Sequence, residues 1–258
     1  KILGNPWICE CIQVSLRMND KKFDKTIKCF DEPHPPIKIE EYIDNQKPGK
    51  FLNKAHRDSY LQQMLWIKSC SGISSIFEVG PGEGFCATNL RKLGYQYETL
   101  DKFKVANFEP DYNQSFTNFS ADDHPKKYDM ACAFQVFEHF PYEKFKENIL
   151  KLAKISKRYV FISIPYSCYG FSFNVSFTFN QKSYFRKIGF YIPTLKKNRK
   201  YREEYMKRYP WAVHYWEIGR KQFPLKKILK DIDELKLKVI RKSHGENPYH
   251  YYILCEKI

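Results

Sequence analysis

The sequence has no apolar run that approaches the roughly 18 residues needed to cross a membrane as a helix. Its first residues lack the order of charged, apolar and small residues that marks a secretory signal peptide. It contains no internal repeat and no low-complexity tract. By contrast, aromatic residues make up 17% of the 258 residues and hydrophobic residues 43%, far more than a disordered chain contains. These features predict a globular, cytoplasmic protein with a substantial core.

A regular cysteine framework is also lacking, because the eight cysteines are scattered along the chain. Cys132 and Cys255 lie inside apolar, strand-like runs, as buried free thiols do. Four possible metal ligands lie near the start, namely Cys9, Cys11, Cys29 and His34. The C-x-C pair that opens this set is not a usual zinc spacing. We therefore expect free thiols in a reducing compartment and no metal site.

Acidic residues are in deficit: 29 Asp and Glu stand against 44 Lys and Arg, a formal net charge of +15. The excess is largest between Lys182 and Arg208, where ten basic residues accompany only Glu203 and Glu204. Such a segment predicts a surface for an anionic partner, and a solvated lysine-rich face is the alternative. Charge alone does not identify the partner.

Strand-like and helix-like segments alternate from residue 53 onwards. The first is an amphipathic helix whose packed face is expected to carry Tyr60, Leu61, Met64, Leu65 and Ile67. Strands are predicted at 73–79, 95–101, 128–134, 158–165, 237–243 and 249–257. Helices are predicted after the first, the third and the fourth of these strands, and the third helix spans 224–235. This alternation predicts a parallel sheet with helices on both faces. We expect residues 1–50 to form an irregular segment that packs on a main domain at 51–258.

Three glycines lie within five residues in SIFEVGPGEGFCATNL (75–90), between a predicted strand and a predicted helix. Glycine inside an element costs about 0.5–1 kcal/mol relative to alanine, so Gly80, Gly82 and Gly84 need a reason. In open α/β sheets ligands bind beyond the carboxyl ends of the strands, where glycines let a ligand approach the main chain. Asp101 ends the next strand, where an acidic side chain can bind ribose hydroxyls.

Dinucleotides and S-adenosylmethionine both fit such a loop. The dinucleotide fingerprint G-x-G-x-x-G needs a glycine three residues after Gly82, where this chain has Phe85. Glu78, two residues before the first glycine, would repel a pyrophosphate but suits a ligand that carries an ammonium group. The loop therefore favours S-adenosylmethionine.

The sequence resembles class I S-adenosylmethionine-dependent methyltransferases over about residues 50–258. FEVGPGEG resembles their first motif, and LD at 100–101 their ribose-binding acid. YDMACAFQVFEHFPYEKF (128–145) and VFISIPY (160–166) resemble the fourth and fifth strands of the small-molecule branch. HYWEIGRKQFPLKKILKDI and ENPYHYYILCEK resemble the C-terminal part of methyltransferases from glycan gene clusters. The resemblance implies a Rossmann-like, seven-stranded, mostly parallel sheet whose last strand is antiparallel, with a basic insertion on the acceptor side at about 167–216.

The resemblance also implies which residues bind the cofactor. These are Glu78, Gly80, Pro81, Gly82, Gly84, Asp101, Lys102, Gln135 and Arg57, the last on the helix before the glycine loop. One element of the family pattern is missing, because no G-D pair follows the predicted third strand region. Ser115, Phe116 and Gln135 are the candidates for contact with adenine.

Methyl transfer from a sulfonium is an in-line displacement that needs no metal and no covalent enzyme intermediate. A hydroxyl acceptor needs a base nearby, whereas a phosphate-like oxygen is already anionic and needs cationic side chains. His139 and His214 are candidate bases, and Tyr166 follows the fifth strand and is a candidate for the acceptor pocket. The structural alternative for His139 is a hydrogen bond to the backbone, and that for His214 is packing against Tyr215 and Trp216.

The predicted function is O-methylation of a small anionic, sugar- or phosphate-containing precursor of a surface glycan, of the capsule or lipopolysaccharide type. S-adenosylhomocysteine would be the second product. Methylation of nucleic acid is the first alternative, suggested by the net charge and by the Tyr, Phe and Arg residues at 184–209. No N/D-P-P-Y motif supports it. A non-catalytic scaffold with the same fold is the second alternative.

Overall fold

The computed structural model describes residues 54–104, 108–122, 124–180, 182–198 and 213–258. The predicted N-terminal segment at 1–50, the cysteines in it, and residues 199–212 of the basic insertion lie outside the described residues. The described residues divide into two compact units. The first runs up to Ser167 and resumes at Pro193, and the second spans Cys168–Ile192.

All the predicted helices and strands are present, together with strands that were not predicted. In chain order the elements are α1 (Lys54–Ser69), β1 (Ser75–Val79), α2 (Phe85–Lys92), β2 (Gln96–Asp101), β3 (Tyr112–Asn113), β4 (Tyr128–Phe134), α3 (Phe145–Ile155), β5 (Ser156–Pro165), β6 (Cys168–Phe179), β7 (Lys182–Pro193), α4 (Leu225–Asp233), β8 (Leu237–His244) and β9 (His250–Lys257). Strands β3, β6 and β7 are the additional elements that were not predicted. Two short 3₁₀ turns, Phe137–His139 and Tyr142–Lys144, lie between β4 and α3. Strands β6 and β7 form a two-stranded sheet of their own, which makes up the second unit.

The first unit is built on a seven-stranded sheet in the order β3-β2-β1-β4-β5-β9-β8. Strand β1 pairs in parallel with both β2 and β4, and β9 pairs antiparallel with both β5 and β8. This confirms the predicted seven-stranded sheet with an antiparallel last strand. The chain leaves β1 toward β2 on one side and returns to β4 on the other, so the strand order reverses next to β1. Ligands of open α/β sheets bind at such a reversal.

Helix α3 packs as its sequence predicts. Its apolar residues recur every three or four positions, and Phe145, Ile149, Leu152 and Ile155 are all buried. The central strands β1 and β4 are buried on both faces, as parallel strands covered by helices are.

The predicted packed face of helix α1 is partly wrong. Leu61 and Leu65 are 51% and 65% exposed. Ile67 is buried as predicted, and the buried side of the helix also carries Ser59, Gln63 and Trp66, which were not predicted there. Ser59 and Gln63 are polar, and they can be buried because each has a polar partner. Ser59 Oγ lies 2.9 Å from His250 Nδ1, and Cys86 Sγ donates to Gln63 Oε1 at 3.0 Å. A pattern based on apolar residues alone does not detect such a face.

Asp129, near the start of β4, joins the amino ends of β1 and β4. Its Oδ2 accepts hydrogen bonds from the backbone N–H and the hydroxyl of both Ser74 and Ser75, each at 2.9 Å. Lys157 Nζ lies 3.5 Å from the other carboxylate oxygen. Burial alone would raise the pKa of Asp129, but the hydrogen bonds outweigh it and hold the pKa below its usual value. The charged carboxylate therefore stabilises the sheet.

We expect Asp129→Asn to lower the free energy of unfolding by about 1–3 kcal/mol at neutral pH, because hydrogen bonds to a charged acceptor are the stronger ones. The folded-state pKa of Asp129 lies below the unfolded-state pKa of about 4. Its stabilising contribution is therefore present above that value and is lost as the pH falls through the folded-state pKa. Urea unfolding at neutral and acidic pH measures both effects, and the difference between wild type and variant should shrink in acid.

The control for this prediction is Asp122→Asn, which removes the charge of an exposed carboxylate paired with Lys154. A surface ion pair contributes little, so this variant should unfold much like the wild type. Equal losses in the two variants would contradict the role given to Asp129.

Candidate cofactor and acceptor site

The glycine loop follows β1 and leads directly into α2. The Gly80 N–H donates to the Leu100 carbonyl at 2.9 Å, which ties the loop to the end of β2. The Gly84 N–H donates to the Pro81 carbonyl at 3.0 Å, and the Gly84 carbonyl accepts the first helical bond, from Thr88. Pro81 is buried, so the loop has one fixed conformation between strand and helix.

Two of the glycines are required by close packing as well as by backbone conformation. Gly80 has φ +70°, and a Cβ added there would lie 2.6 Å from Val136 Cγ2. Gly84 has φ +67°, and an added Cβ would lie 2.0 Å from the ring of Phe108. Both values of φ are in the left-handed region that favours glycine. The structure therefore requires glycine at the first and the last glycine position of the motif.

The middle of the loop is open and acidic. A Cβ added at Gly82 would meet no atom within 4 Å. Next to it, Oε1 of Glu83 is buried without a hydrogen-bond partner. An open cradle beside an unpartnered carboxylate oxygen suits a ligand that carries a cationic group, as the methionine part of S-adenosylmethionine does.

Glu78 and Asp101 lie near the carboxyl ends of β1 and β2. Burial raises the pKa of Glu78 to about 7, although a hydrogen bond from the Tyr97 hydroxyl, at 2.9 Å, opposes the shift. Burial also raises the pKa of Asp101, opposed by the backbone N–H of Phe103, which donates to its Oδ1 at 3.0 Å. Asp101 thus occupies the predicted position for a ribose-binding acid, one residue past the Leu100 carbonyl that holds the loop.

The remaining predicted cofactor residues have less direct support. Gln135 follows β4 with φ +57°, and its side-chain amide donates to Ser163 Oγ at 3.1 Å, so part of its hydrogen-bonding capacity is used within the sheet. Lys102 is exposed, with its Nζ 4.6 Å from the centre of the Phe103 ring. Arg57 is exposed on α1. The roles given to these three residues stay predictions.

A second polar group lies after β4, where three hydrogen bonds join the segment 138–140 to the segment 213–216. The Tyr215 N–H donates to the Glu138 carbonyl at 2.7 Å, and Trp216 Nε1 donates to the Phe140 carbonyl at 3.1 Å. His139 Nδ1 lies 3.0 Å from the Val213 carbonyl. These contacts bring the two predicted histidines together, with ring centres 5.0 Å apart for His139 and His214.

The hydrogen-bond network assigns the protons on both imidazoles. The Val213 carbonyl can only accept, so His139 carries its proton on Nδ1 and leaves Nε2 as an acceptor. The Tyr249 hydroxyl donates to Glu217 Oε1 at 3.0 Å and therefore accepts from His214 Nδ1 at 3.1 Å. His214 thus also leaves Nε2 as an acceptor.

Glu217 and Arg220 form a buried pair that supports His214. Arg220 donates to Glu217 Oε2 from Nε at 2.9 Å and from a terminal nitrogen at 2.7 Å. Burial alone would raise the pKa of Glu217, but His214 and Arg220 outweigh it and lower the pKa to about 2. Glu217 is therefore charged, and its other oxygen lies 3.4 Å from His214 Nδ1.

Glu138 has no such partners. Its side chain is 0% exposed, and no other residue forms a hydrogen bond with either carboxylate oxygen. Burial raises the pKa of Glu138 to about 7, and burial together with His214 lowers the pKa of His139 to about 3. The charge of Lys102, which follows Asp101, also lowers the pKa of His139.

Tyr166, the third predicted acceptor residue, follows β5 at the same edge of the sheet. Its ring packs against the rings of His244 and Tyr251, at centre distances of 4.5 and 5.3 Å. Its backbone N–H donates to the carbonyl of Tyr249 at 2.6 Å. Its role in an acceptor pocket stays a prediction.

Two residues of this site were missed by the sequence analysis. Glu83 lies inside the quoted glycine loop, but only its buried, unpartnered oxygen distinguishes it from an ordinary exposed loop glutamate. Glu217 lies three residues after His214, a spacing that could have indicated the pair. Nothing in the sequence indicates that Glu138 lacks a partner.

The profile of a family described as a methyltransferase domain matches residues 39–220. The chain belongs to this methyltransferase family. The match confirms the predicted class, a class I S-adenosylmethionine-dependent methyltransferase, and the prediction that the protein is a transferase. No curated protein sequence matches the chain.

Several solved methyltransferase structures resemble this one. The N-methyltransferase NodS from Bradyrhizobium japonicum WM9, in complex with S-adenosylhomocysteine, has a TM-score of 0.52 and 10% identity over 84% of this chain and 95% of that chain. Magnesium protoporphyrin IX methyltransferase (ChlM) from Synechocystis PCC 6803, with bound S-adenosylmethionine, has a TM-score of 0.47 and 12% identity over 93% of each chain. At this identity the likeness to NodS supports the fold alone. Separately, none of the helices in the described ranges is both long and apolar enough to span a membrane.

We expect Gly82→Ala to weaken the binding of S-adenosylhomocysteine by at least about tenfold, because the added methyl group enters the open space of the loop. Gly72→Ala is the matched control. It too has a positive φ and nothing within 4 Å of the added Cβ, but it lies in the loop before β1. Both variants should lose about 1–2 kcal/mol of stability from the left-handed backbone.

Calorimetric titration of S-adenosylhomocysteine and thermal unfolding of the same samples separate the two effects. If Gly82→Ala binds the ligand as well as Gly72→Ala does, the loop does not hold the cofactor.

Proposed function

We propose that this methyltransferase transfers a methyl group from S-adenosylmethionine to a hydroxyl of a small molecule, with S-adenosylhomocysteine as the second product. The acidic groups of Glu83 and Glu78 would face the methionine part, and Asp101 the ribose hydroxyls. When bound, the donor supplies a methyl group on a positively charged sulfur.

The cluster of Glu138, His139 and His214 is the observation that favours a hydroxyl acceptor. A phosphate-like oxygen is already anionic and would be held by cations, whereas a hydroxyl must be activated before it attacks. The three side chains present a carboxylate and two unprotonated imidazole nitrogens, which are groups that bind a hydroxyl or an ion that activates it. They lie at the carboxyl edge of the sheet, near the loop that carries Asp101 and Lys102.

We further propose that the acceptor is an anionic, sugar- or phosphate-containing precursor of a surface glycan, assembled in the cytoplasm. Two features of the sequence support this choice. The C-terminal segments resemble methyltransferases of glycan gene clusters, and ten basic residues lie between Lys182 and Arg208. Lys196 and Lys197, which belong to this stretch, are exposed.

The donor half of the proposal is tested by titrating S-adenosylhomocysteine into wild type and into Asp101→Ala. We expect one ligand per chain, and a loss of about 1–3 kcal/mol of binding energy in the variant, as for a hydrogen bond to a charged group. Asp122→Ala removes an exposed carboxylate and should bind like the wild type. Unchanged affinity in Asp101→Ala would show that the ribose lies elsewhere.

The acceptor half is tested by the release of S-adenosylhomocysteine with a panel of nucleotide-linked sugars, sugar phosphates and short RNA. A product whose methyl group is on a sugar oxygen supports the proposal, and turnover on RNA alone overturns it. With the acceptor identified, Lys196→Glu with Lys197→Glu should raise the KM for the acceptor and leave the affinity for S-adenosylhomocysteine unchanged. Equal loss of both would show that these lysines have a structural role.

A further inference from the structure

One ligand atom from each of Glu138, His139 and His214 can be chosen so that all three lie within 4.8 Å of one another. The ligand atoms of a tetrahedral zinc ion are about 3.3 Å apart, given metal–ligand distances of about 2.0–2.1 Å. Binding one ion would therefore require each pair of ligand atoms to approach by at most roughly 1.5 Å. The two segments that carry them are already joined by one backbone hydrogen bond, from the Tyr215 N–H to the Glu138 carbonyl, and by two bonds from side chains to backbone carbonyls.

Both imidazoles have the second partner that metal-binding histidines have. A metal-ligating histidine donates its other ring N–H to a carbonyl or a carboxylate, which fixes the ring and frees one nitrogen for the ion. His139 does so through Nδ1 to the Val213 carbonyl. His214 does so through Nδ1 to the Tyr249 oxygen and Glu217, which Arg220 holds in place. In both residues the free nitrogen is therefore Nε2.

The third residue is a fully buried carboxylate without a hydrogen-bond partner. A buried polar group normally has a partner, and an unpaired buried charge is costly unless a cation compensates it. Glu217 in the same network has Arg220, His214 and Tyr249 around it, whereas both oxygens of Glu138 are unsatisfied. A cation between Glu138 and the two imidazoles supplies the missing partner.

We propose that Glu138, His139 and His214 bind one divalent transition-metal ion, for which zinc is the best match. Two imidazole nitrogens and one carboxylate oxygen form a donor set that suits borderline metals better than magnesium or calcium. Three protein ligands leave one position open, as in catalytic zinc sites and unlike closed structural ones.

The consequence for the reaction rests on the proposed function. An acceptor hydroxyl in the open position would become more acidic, as metal-bound water does. The hydroxyl proton passes to solvent, and the oxygen forms a new bond to the methyl carbon as the carbon–sulfur bond breaks. The bonding pair of that bond stays on sulfur and leaves with the thioether product. Methyl transfer itself needs no metal, so the ion would act only on the acceptor.

The site is tested by calorimetric titration of zinc chloride into the chelator-treated full chain. We expect one zinc ion that is bound by the wild type and lost, or weakened by at least about tenfold, in His139→Ala and in His214→Ala. The matched control is His124→Ala, which removes an imidazole that packs on Tyr128 at the opposite edge of the sheet. Zinc should also raise the thermal midpoint of the wild type and of the control, but not of the two cluster variants.

Cobalt distinguishes this site from one formed by the N-terminal cysteines. A nitrogen–oxygen site gives cobalt d–d bands without the thiolate charge-transfer band that Cys9, Cys11 and Cys29 would add. Zinc affinity that is unchanged in both histidine variants overturns the proposal, as does a cobalt spectrum due to thiolates alone. Wild-type protein that binds no zinc or cobalt also overturns it.

Glu138→Gln gives a separate test that does not depend on the loss of an imidazole. The amide keeps the shape of the side chain and removes the charge, so zinc affinity should fall by at least about tenfold. The thermal midpoint of the metal-free variant should not fall, because a buried carboxylate without a partner is replaced by a neutral group. A less stable variant with full zinc affinity would show that the carboxylate serves the fold.

The metal site and the methyltransferase proposal fail separately. Zinc binding is measured without donor or acceptor, and S-adenosylhomocysteine binding is measured on chelator-treated protein. A chain that binds S-adenosylhomocysteine but no zinc retains the proposed function and loses this inference. A chain that binds zinc but transfers no methyl group to any acceptor retains the site and loses the function.

Discussion

The parallel pairing of β1 with β2 on one side and with β4 on the other determines where the glycine loop, Asp101 and the Glu138–His139 turn lie. In register, Val79 is level with Leu100 of β2 and with Ala133 of β4. Residues that follow these three strands therefore emerge at one edge of the sheet. The glycine loop, Asp101 and the turn that carries Glu138 and His139 are the direct continuations of β1, β2 and β4. The site is thus a consequence of strand order before any side chain is considered.

The buried carboxylates at this edge of the sheet differ in whether the chain itself compensates their charge. Glu217 is compensated within the chain by Arg220 and by hydrogen bonds, so it costs the fold little. Glu83 and Glu138 contribute carboxylate oxygens that are buried without partners, one at the glycine loop and one near the histidines. The two proposals each supply the missing positive charge, from the bound donor beside Glu83 and from a metal ion beside Glu138.

The fold could largely be predicted from the sequence because most of its elements are long enough to show a period. Helix α3 and the buried strand β4 are clear examples. Strands β6 and β7, of 12 residues each, were not predicted, because their residues were assigned only to a basic insertion. The other failures occurred where the period is absent or misleading. Strand β3 has only two residues, Tyr112 and Asn113, so it shows no alternation. On α1, the buried Ser59 and Gln63 have polar partners far away in the chain, and these partners decide which face packs.

The candidate site could be predicted only in part, for a related physical reason. The glycines follow β1 and Asp101 ends the neighbouring strand β2, and each can be predicted from a short local motif. The approach of His139 to His214 depends on hydrogen bonds across about 74 residues of chain, and most of these bonds use backbone atoms. In each of these bonds the acceptor is a backbone carbonyl, which every residue carries, so the sequence does not show which partner His139 or Trp216 has. Both imidazoles use Nδ1 in this network, so in the proposed site the same hydrogen bonds that bring His139 and His214 together leave Nε2 of each ring for a ligand.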